Sequence, residues 1–230
     1  MDSRKFREEP DLVEGRLPLR VTSILPQKKK KDRFSLFHEE EFMMGVSGKS
    51  MLDFSIQKGV EMTPFLYNRL KESEEYQKVK ESFYRYLAGR DHSSFELRQK
   101  GRKKGFRADV MDNVLEELEQ KNLLSDESFA RKFALDKANL KQWGPKKIKN
   151  ALCKKGIGRA VAKKVVQNVA ENLEQDQICV DLALKRKRHF LRENDPFRRK
   201  QKIYTYLAGK GYSGTVISKA LPVITKKLDA

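Results

Sequence analysis

The sequence predicts a mainly α-helical chain, with tandem three-helix repeats forming an elongated curved rod and a small β-prone N-terminal extension. Three observations carry this. A glycine-centred apolar spacing recurs three times beyond residue 77. Period-two alternation is confined to residues 19–62. Of the 230 residues 38% are apolar and 36% charged, which suits several small helical cores better than one thick sheet-centred globule.

Residues 1–18 are polar, mixed in charge and without period, so a disordered tail is expected there. Over 19–62, Val21, Ser23 and Leu25 alternate with other positions, and Phe34, Leu36 and Phe37 form a second β-prone run. Four lysines and Asp32 separate the two runs, so a hairpin with a basic tip is expected. Thr63-Pro64 reads as a helix start, with threonine capping and proline in the first turn. A short linking helix is expected over 63–78.

The repeats align on Gly105, Gly156 and Gly211, in the strings KKGF, KKGI and GKGY. Eight residues before each glycine stand Leu97, Ile148 and Ile203. Five after come Val110, Val161 and Val216; nine after, Val114, Val165 and Ala220; thirteen after, Leu118, Val169 and Ile224. Apolar positions four apart are helical, so each glycine joins two facing helices and suits a C′ position with φ > 0. Ser93-Ser94, Gly144-Pro145 and Asp195-Pro196 supply the helix starts. A further apolar run (83–87, 129–135 and 178–184) gives each repeat its first helix. The expected repeats are 79–125, 126–175 and 176–230. Gly101 stands where the other copies have Leu152 and Leu207, and Pro222 is expected to bend or shorten the last helix.

Charge is concentrated as well as high. Lys and Arg number 50 against 32 Asp and Glu, a net +18. Residues 1–76 are balanced at 14 of each sign. Residues 128–170 carry 12 basic side chains and only Asp136, and 182–228 carry 13 with only Glu193 and Asp195, so each block is +11. Either block by itself reads as a solvated helix face. Two such blocks repel themselves unless a polyanion relieves them. The candidate contacts are Lys146, Lys147, Lys149, Lys154, Lys155, Arg159, Lys163 and Lys164 in repeat two. In repeat three they are Lys185, Arg186, Lys187, Arg188, Arg198, Arg199 and Lys200. Phosphate contacts of this kind give sequence-independent, salt-sensitive binding. Trp143, Phe190, Phe197, Tyr204 and Tyr206 are core rings or, alternatively, stacking platforms for bases. Glu171, Glu174, Asp176 and Asp181 form an acidic connection expected to keep the two basic faces apart.

Other chemistry is poorly supported. In Gly45-Val46-Ser47-Gly48-Lys49-Ser50 the position that a phosphate loop reserves for its first glycine holds Met43. His38, His92 and His189 are scattered, and Cys153 and Cys179 lie 26 residues apart, so neither a metal site nor a cofactor is expected. Asp112, Glu116, Glu117 and Glu119 sit at helical spacing on one solvated face. No catalytic constellation is expected. The two cysteines suit a reduced compartment, and no run of 18 apolar residues or signal-like start is present, so a cytosolic monomer away from membranes is expected.

Specific strings then become recognisable. Asn122-Leu-Leu-Ser-Asp-Glu-Ser-Phe-Ala130, Trp143-Gly-Pro-Lys-Lys-Ile148 and Lys154-Lys-Gly-Ile157 resemble the RecX family, and Glu96-Leu97 with Lys104-Gly-Phe106 resembles its first repeat. The resemblance spans roughly 78–230, and the extension 19–62 is similar to that of longer members. It implies a regulator that binds the RecA–single-stranded DNA filament along its groove and restrains strand exchange, ATP hydrolysis and co-protease activity. It implies no individual contact residue; the lysines and arginines above rest on charge placement. The alternative is a sequence-independent nucleic-acid-binding module of helix-turn-helix type acting without RecA.

Overall fold

The structure is a computed structural model that describes residues 11–28 and 32–229. It divides into two compact units, one comprising residues up to 85 together with 105–114, the other 86–104 together with 115 onward.

The first unit opens with α1 (Asp11–Glu14) and β1 (Leu19–Arg20), followed by β2 (Ser23–Pro26), β3 (Arg33–His38) and β4 (Glu41–Ser47). Next come α2 (Gly48–Asp53), β5 (Glu61–Met62) and α3 (Pro64–Gly89). Strands β2, β3 and β4 form an antiparallel meander, with Ile24 opposite Leu36 and Leu36 opposite Met44; β1 pairs with β5. The β2–β3 hairpin is present, but its basic tip at 29–31 lies outside the described residues. Strand β4 and helix α2 follow the two predicted β-prone runs. Met44 and Val46 alternate inward opposite Leu36, and Met43 joins them beside the register shift at Leu36/Phe37, in one core with Met62, Tyr67 and Leu70.

Two expectations are corrected here. Residues 11–18 are not a disordered tail: α1 buries Val13 in that core, and Glu14 pairs with Lys71 at 2.5 Å. Residues 1–10 of that expectation lie outside the described residues. The linking helix is not short. Thr63 Oγ1 accepts from the Leu66 N–H at 3.2 Å, and α3 then runs 26 residues without an interior breaker, so linker and first repeat helix are one element. The glycine-serine string around Ser47 serves the fold. Ser47 caps α2, and its own N–H donates to Glu74 Oε1 of α3 at 2.6 Å. Arg33 Nη1 lies 2.8 Å from the other carboxylate oxygen, off the line of a hydrogen bond, so that contact is purely ionic. Burial alone would raise the Glu74 pKa, but the Ser47 and Ser50 hydrogen bonds and the Arg33 charge outweigh it and hold the group ionised.

The repeats follow. The end of α3 leads into α4 (Ser94–Arg102) and α5 (Ala108–Gln120). Repeat two is α6 (Asp126–Lys141), α7 (Pro145–Lys154) and α8 (Arg159–Glu171). Repeat three is α9 (Gln175–Leu184), a short α10 (Lys187–Phe190), α11 (Pro196–Lys210) and α12 (Gly214–Asp229). Ser93 Oγ and Asp195 Oδ1 cap α4 and α11. Gly105, Gly156 and Gly211 have φ of +76°, +83° and +98°, a region costly for any residue with a Cβ. Leu97, Ile148 and Ile203 are buried, as are Val114, Val165 and Ala220 and then Leu118, Val169 and Ile224. Each such Leu or Ile side chain contributes about 1.5–3 kcal/mol on burial. Val161 departs from the pattern and is exposed, because α8 starts at Arg159 and turns Ala162, Val165, Val166 and Val169 inward. Pro222 does not shorten α12, which runs on to Asp229. It lies on the exposed face one turn beyond exposed Ser218, whose carbonyl loses its helical N–H partner where water can replace it.

Candidate functional site

The fifteen basic residues singled out by charge placement separate into three groups. The first group is exposed and unpaired. On α7, Ile148 and Leu152 turn inward and leave Lys146, Lys149 and Lys154 outward; on α8, Arg159, Lys163 and Lys164 do the same. Arg188 on α10 and Lys200 on α11 are also exposed. Among the described residues none of these eight has a carboxylate within ion-pair distance. Helices α7 and α8 each begin with basic side chains and carry no acid in the first turn. A cation at the positive end of a helix dipole is disfavoured by about 0.3–1 kcal/mol, so these helix starts tolerate an unfavourable local charge.

The second group has partners within the protein. Lys155 Nζ pairs with Glu96 Oε1 at 2.5 Å and lies over the Phe129 and Phe133 rings. Its carbonyl accepts from Ser93 Oγ at 2.7 Å, while Ser94 donates from N and Oγ to Asp126, both at 2.8 Å. Arg90 Nη1 reaches the other Glu96 oxygen at 3.0 Å. Burial would raise the Glu96 pKa, but hydrogen bonds from Arg90 and Lys155 and their charges bring it down to about 2. A Cβ on Gly156 would stand 2.2 Å from the Phe95 Cβ, so α4 and the α7–α8 turn meet without a gap. Lys155 therefore joins repeats one and two. Arg199 donates to the Glu193 carbonyl at 2.9 Å and to Asp229 Oδ1 at 2.8 Å, which ties α11 to the end of α12. Lys187 Nζ donates to the Lys227 carbonyl at 3.3 Å near the end of α12, and Arg198 sits 3.6 Å from Asp195.

The third group converges where repeats two and three meet. The Gly144 N–H donates to the Lys210 carbonyl at 2.9 Å, the Lys146 N–H to the Gly211 carbonyl at 3.1 Å, and the Tyr212 hydroxyl to the Gln142 carbonyl at 3.2 Å. A Cβ on Gly144 would lie 2.4 Å from the Gly211 carbonyl carbon. This backbone-to-backbone joint brings Lys147 of α7 beside Lys185 and Arg186 at the α9–α10 junction, and beside Lys210 at the end of α11. Lys210 has a proton affinity below that of an ordinary lysine, from burial first and then from Lys147, Arg186 and Lys185. The acidic connection does not hold the basic faces apart, since α9 turns Asp176 and Asp181 outward while the glycine contact draws the cations together. Lys210 escaped the sequence reading because it is one isolated lysine before a glycine.

The rings are mostly committed. Phe190 is buried, Lys147 covers Trp143 at 4.7 Å, and Arg186 and Lys210 lie over Tyr206 at 4.9 and 5.7 Å. Of the five rings singled out, Phe197 and Tyr204, two turns apart on α11, are exposed. Cys179 is no available nucleophile: burial, with Asp176 adding to it, pushes its thiol up to about 12. Among the described residues no helix is long and apolar enough to cross a membrane.

Comparison with known proteins agrees with this layout. The profile of the regulatory protein RecX N-terminal domain matches residues 19–63. Those of the first, second and third RecX three-helix domains match 80–118, 125–166 and 174–221. Regulatory protein RecX of Clostridium beijerinckii is 29% identical over 203 residues, covering 88% of this chain and 94% of that protein. Its counterpart in Listeria innocua is 26% identical over 214 residues, covering 92% and 78%. A crystal structure of regulatory protein RecX superimposes with a TM-score of 0.71 at 21% identity, over 87% of this chain and 98% of that one. RecX from Lactobacillus salivarius gives 0.60 at 25% identity, over 68% and 98%. With four RecX domain profiles matched in order along most of its length, the chain belongs to the RecX family.

Proposed function

We propose that this protein regulates the RecA recombinase by binding the RecA–single-stranded DNA filament along its groove, restraining strand exchange, ATP hydrolysis and co-protease activity. The supporting observation is the set of exposed, unpaired cations on α7 and α8 of repeat two, continued by Arg188 and Lys200 of repeat three. Neighbouring cations that serve the fold have been given acids, as Lys155 and Arg199 have. Those left without one gain most from a partner with regularly spaced negative charge. Direct DNA contact in this reading is weak and indifferent to sequence, because α8 presents lysines and Gln167 rather than paired base-reading side chains.

The test titrates the protein into RecA's DNA-dependent ATPase reaction and measures its binding to DNA alone, RecA alone and the preformed filament. The reading requires inhibition and a clear preference for the filament. Equal affinity for naked duplex and filament, with an unaffected ATPase, would replace it with the helix-turn-helix module acting without RecA.

A further inference from the structure

The two junctions of the second unit treat their cations in opposite ways. Between repeats one and two, the Glu96 carboxylate sits between Arg90 and Lys155 and offsets one of their two charges. Between repeats two and three four cations converge, and among the described residues none of them has a carboxylate partner. Each is held instead by neutral groups. Lys147 Nζ donates to the Gly209 carbonyl at 3.4 Å and lies over Trp143, and Lys185 Nζ donates to Gln142 Oε1 at 3.0 Å. Arg186 and Lys210 share the Tyr206 ring, and Lys137 adds another cation 5.8 Å from Trp143. Carbonyls and ring faces orient ammonium groups without cancelling their charge. Burial first, and then the charges of Lys147, Arg186 and Lys185, lower the proton affinity of Lys210. The cluster survives because the Gly144–Gly211 contact fixes the backbones that carry it. An arrangement serving stability alone would include an acid, as the other junction does.

We propose that Lys147, Lys185, Arg186 and Lys210 form a phosphate-binding subsite for the backbone of single-stranded DNA. The site takes the phosphodiester group, not the base, since cations already cover the Trp143 and Tyr206 rings. It relies on the proposed function only for the choice of polyanion.

The test uses the full chain and the variants Lys210→Gln, Lys185→Gln/Arg186→Gln and, as a control, Lys219→Gln on exposed α12. Binding of a thymidine oligonucleotide without RecA is followed by fluorescence anisotropy across a salt series. Thermal denaturation is measured with and without tripolyphosphate, and ATPase inhibition is scored separately. Lys210→Gln should melt higher than wild type because it removes a repelling charge, yet bind the oligonucleotide several-fold more weakly. Its salt slope should fall by about one, and that of the double variant by about two. The control should match wild type. Wild-type affinity and slope in both site variants would overturn the subsite. A tripolyphosphate-induced rise in melting temperature, lost in the variants, without any oligonucleotide binding would overturn the DNA assignment in favour of free polyphosphate. Oligonucleotide binding that weakens in both site variants, without ATPase inhibition, would uphold the subsite while removing the RecA reading.

Discussion

Replacing Glu96 by Gln isolates one charge that holds repeats one and two together. The side chain is 16% exposed and lies in the first turn of α4, where the helix dipole favours an anion. Its pKa falls from 4.5 to about 2, because the Arg90 and Lys155 contacts outweigh the opposing effect of burial. Each tenfold change in proton affinity corresponds to about 1.4 kcal/mol, so the ionised carboxylate is worth about 3 kcal/mol before screening. Arg90 is half exposed, and water screens its part, which leaves about 1–2 kcal/mol. A depressed folded-state pKa stabilises above the unfolded value and loses that contribution as pH falls through the folded one. The window here is therefore pH 4.5 down to about 2. Urea denaturation followed by circular dichroism should show Glu96→Gln destabilised by about 1–2 kcal/mol at pH 7. The gap between variant and wild type should close as pH is lowered through the acid range. A destabilisation that stays constant with pH would mean that packing, not charge, explains the site.

Gly144→Ala should destabilise by about 1–3 kcal/mol, measured by thermal denaturation, because its Cβ meets Gly211 backbone rather than a side chain that can swing away. Glu74→Ala removes a buried carboxylate from the half-buried Arg33, which keeps the Gly45 carbonyl, and should cost about 1–3 kcal/mol, read as an earlier melting transition. Reversing Lys146, Lys149 and Lys163 to Glu should leave the circular dichroism spectrum unchanged, since all three point away from the core, while filament affinity collapses. Wild-type DNA affinity should drop on the order of 10³-fold between 50 and 200 mM salt if about six phosphates are engaged, and a salt-insensitive affinity would refute a phosphate-based contact.

Much of this architecture can be read locally. Helix periodicity, the serine, aspartate and proline starts, and the demand for positive φ at Gly105, Gly156 and Gly211 all depend on residues within one or two turns. So does the hairpin of β2 and β3. Reading was weaker where one signal carried two meanings. Gly45 and Gly48 look like loop punctuation, but Gly45 lies in β4 and Gly48 starts α2. Pro222 looks like a helix end, yet the carbonyl it orphans faces water. Val161 fits the repeat alignment, yet the start of α8 sets Ala162 inward instead.

The candidate site divides along the same line. Charge density is a property of composition, so the two blocks of +11 can be counted from the residues alone. Which cations remain unpaired depends on neighbours distant in the chain. Lys155 is taken by Glu96, 59 positions earlier, and Arg199 by Asp229, 30 positions later. Lys147 meets Gly209, 62 positions away, because two glycines let backbones touch where any Cβ would part them. Sequence by itself determined the helices, their caps, the repeat and the sign of the surface, since each follows from short-range sterics or a sum of charges. The tertiary structure alone decided which lysines staple the repeats and which stand together unneutralised, because Coulomb energy depends on separation in space and chain folding sets those distances.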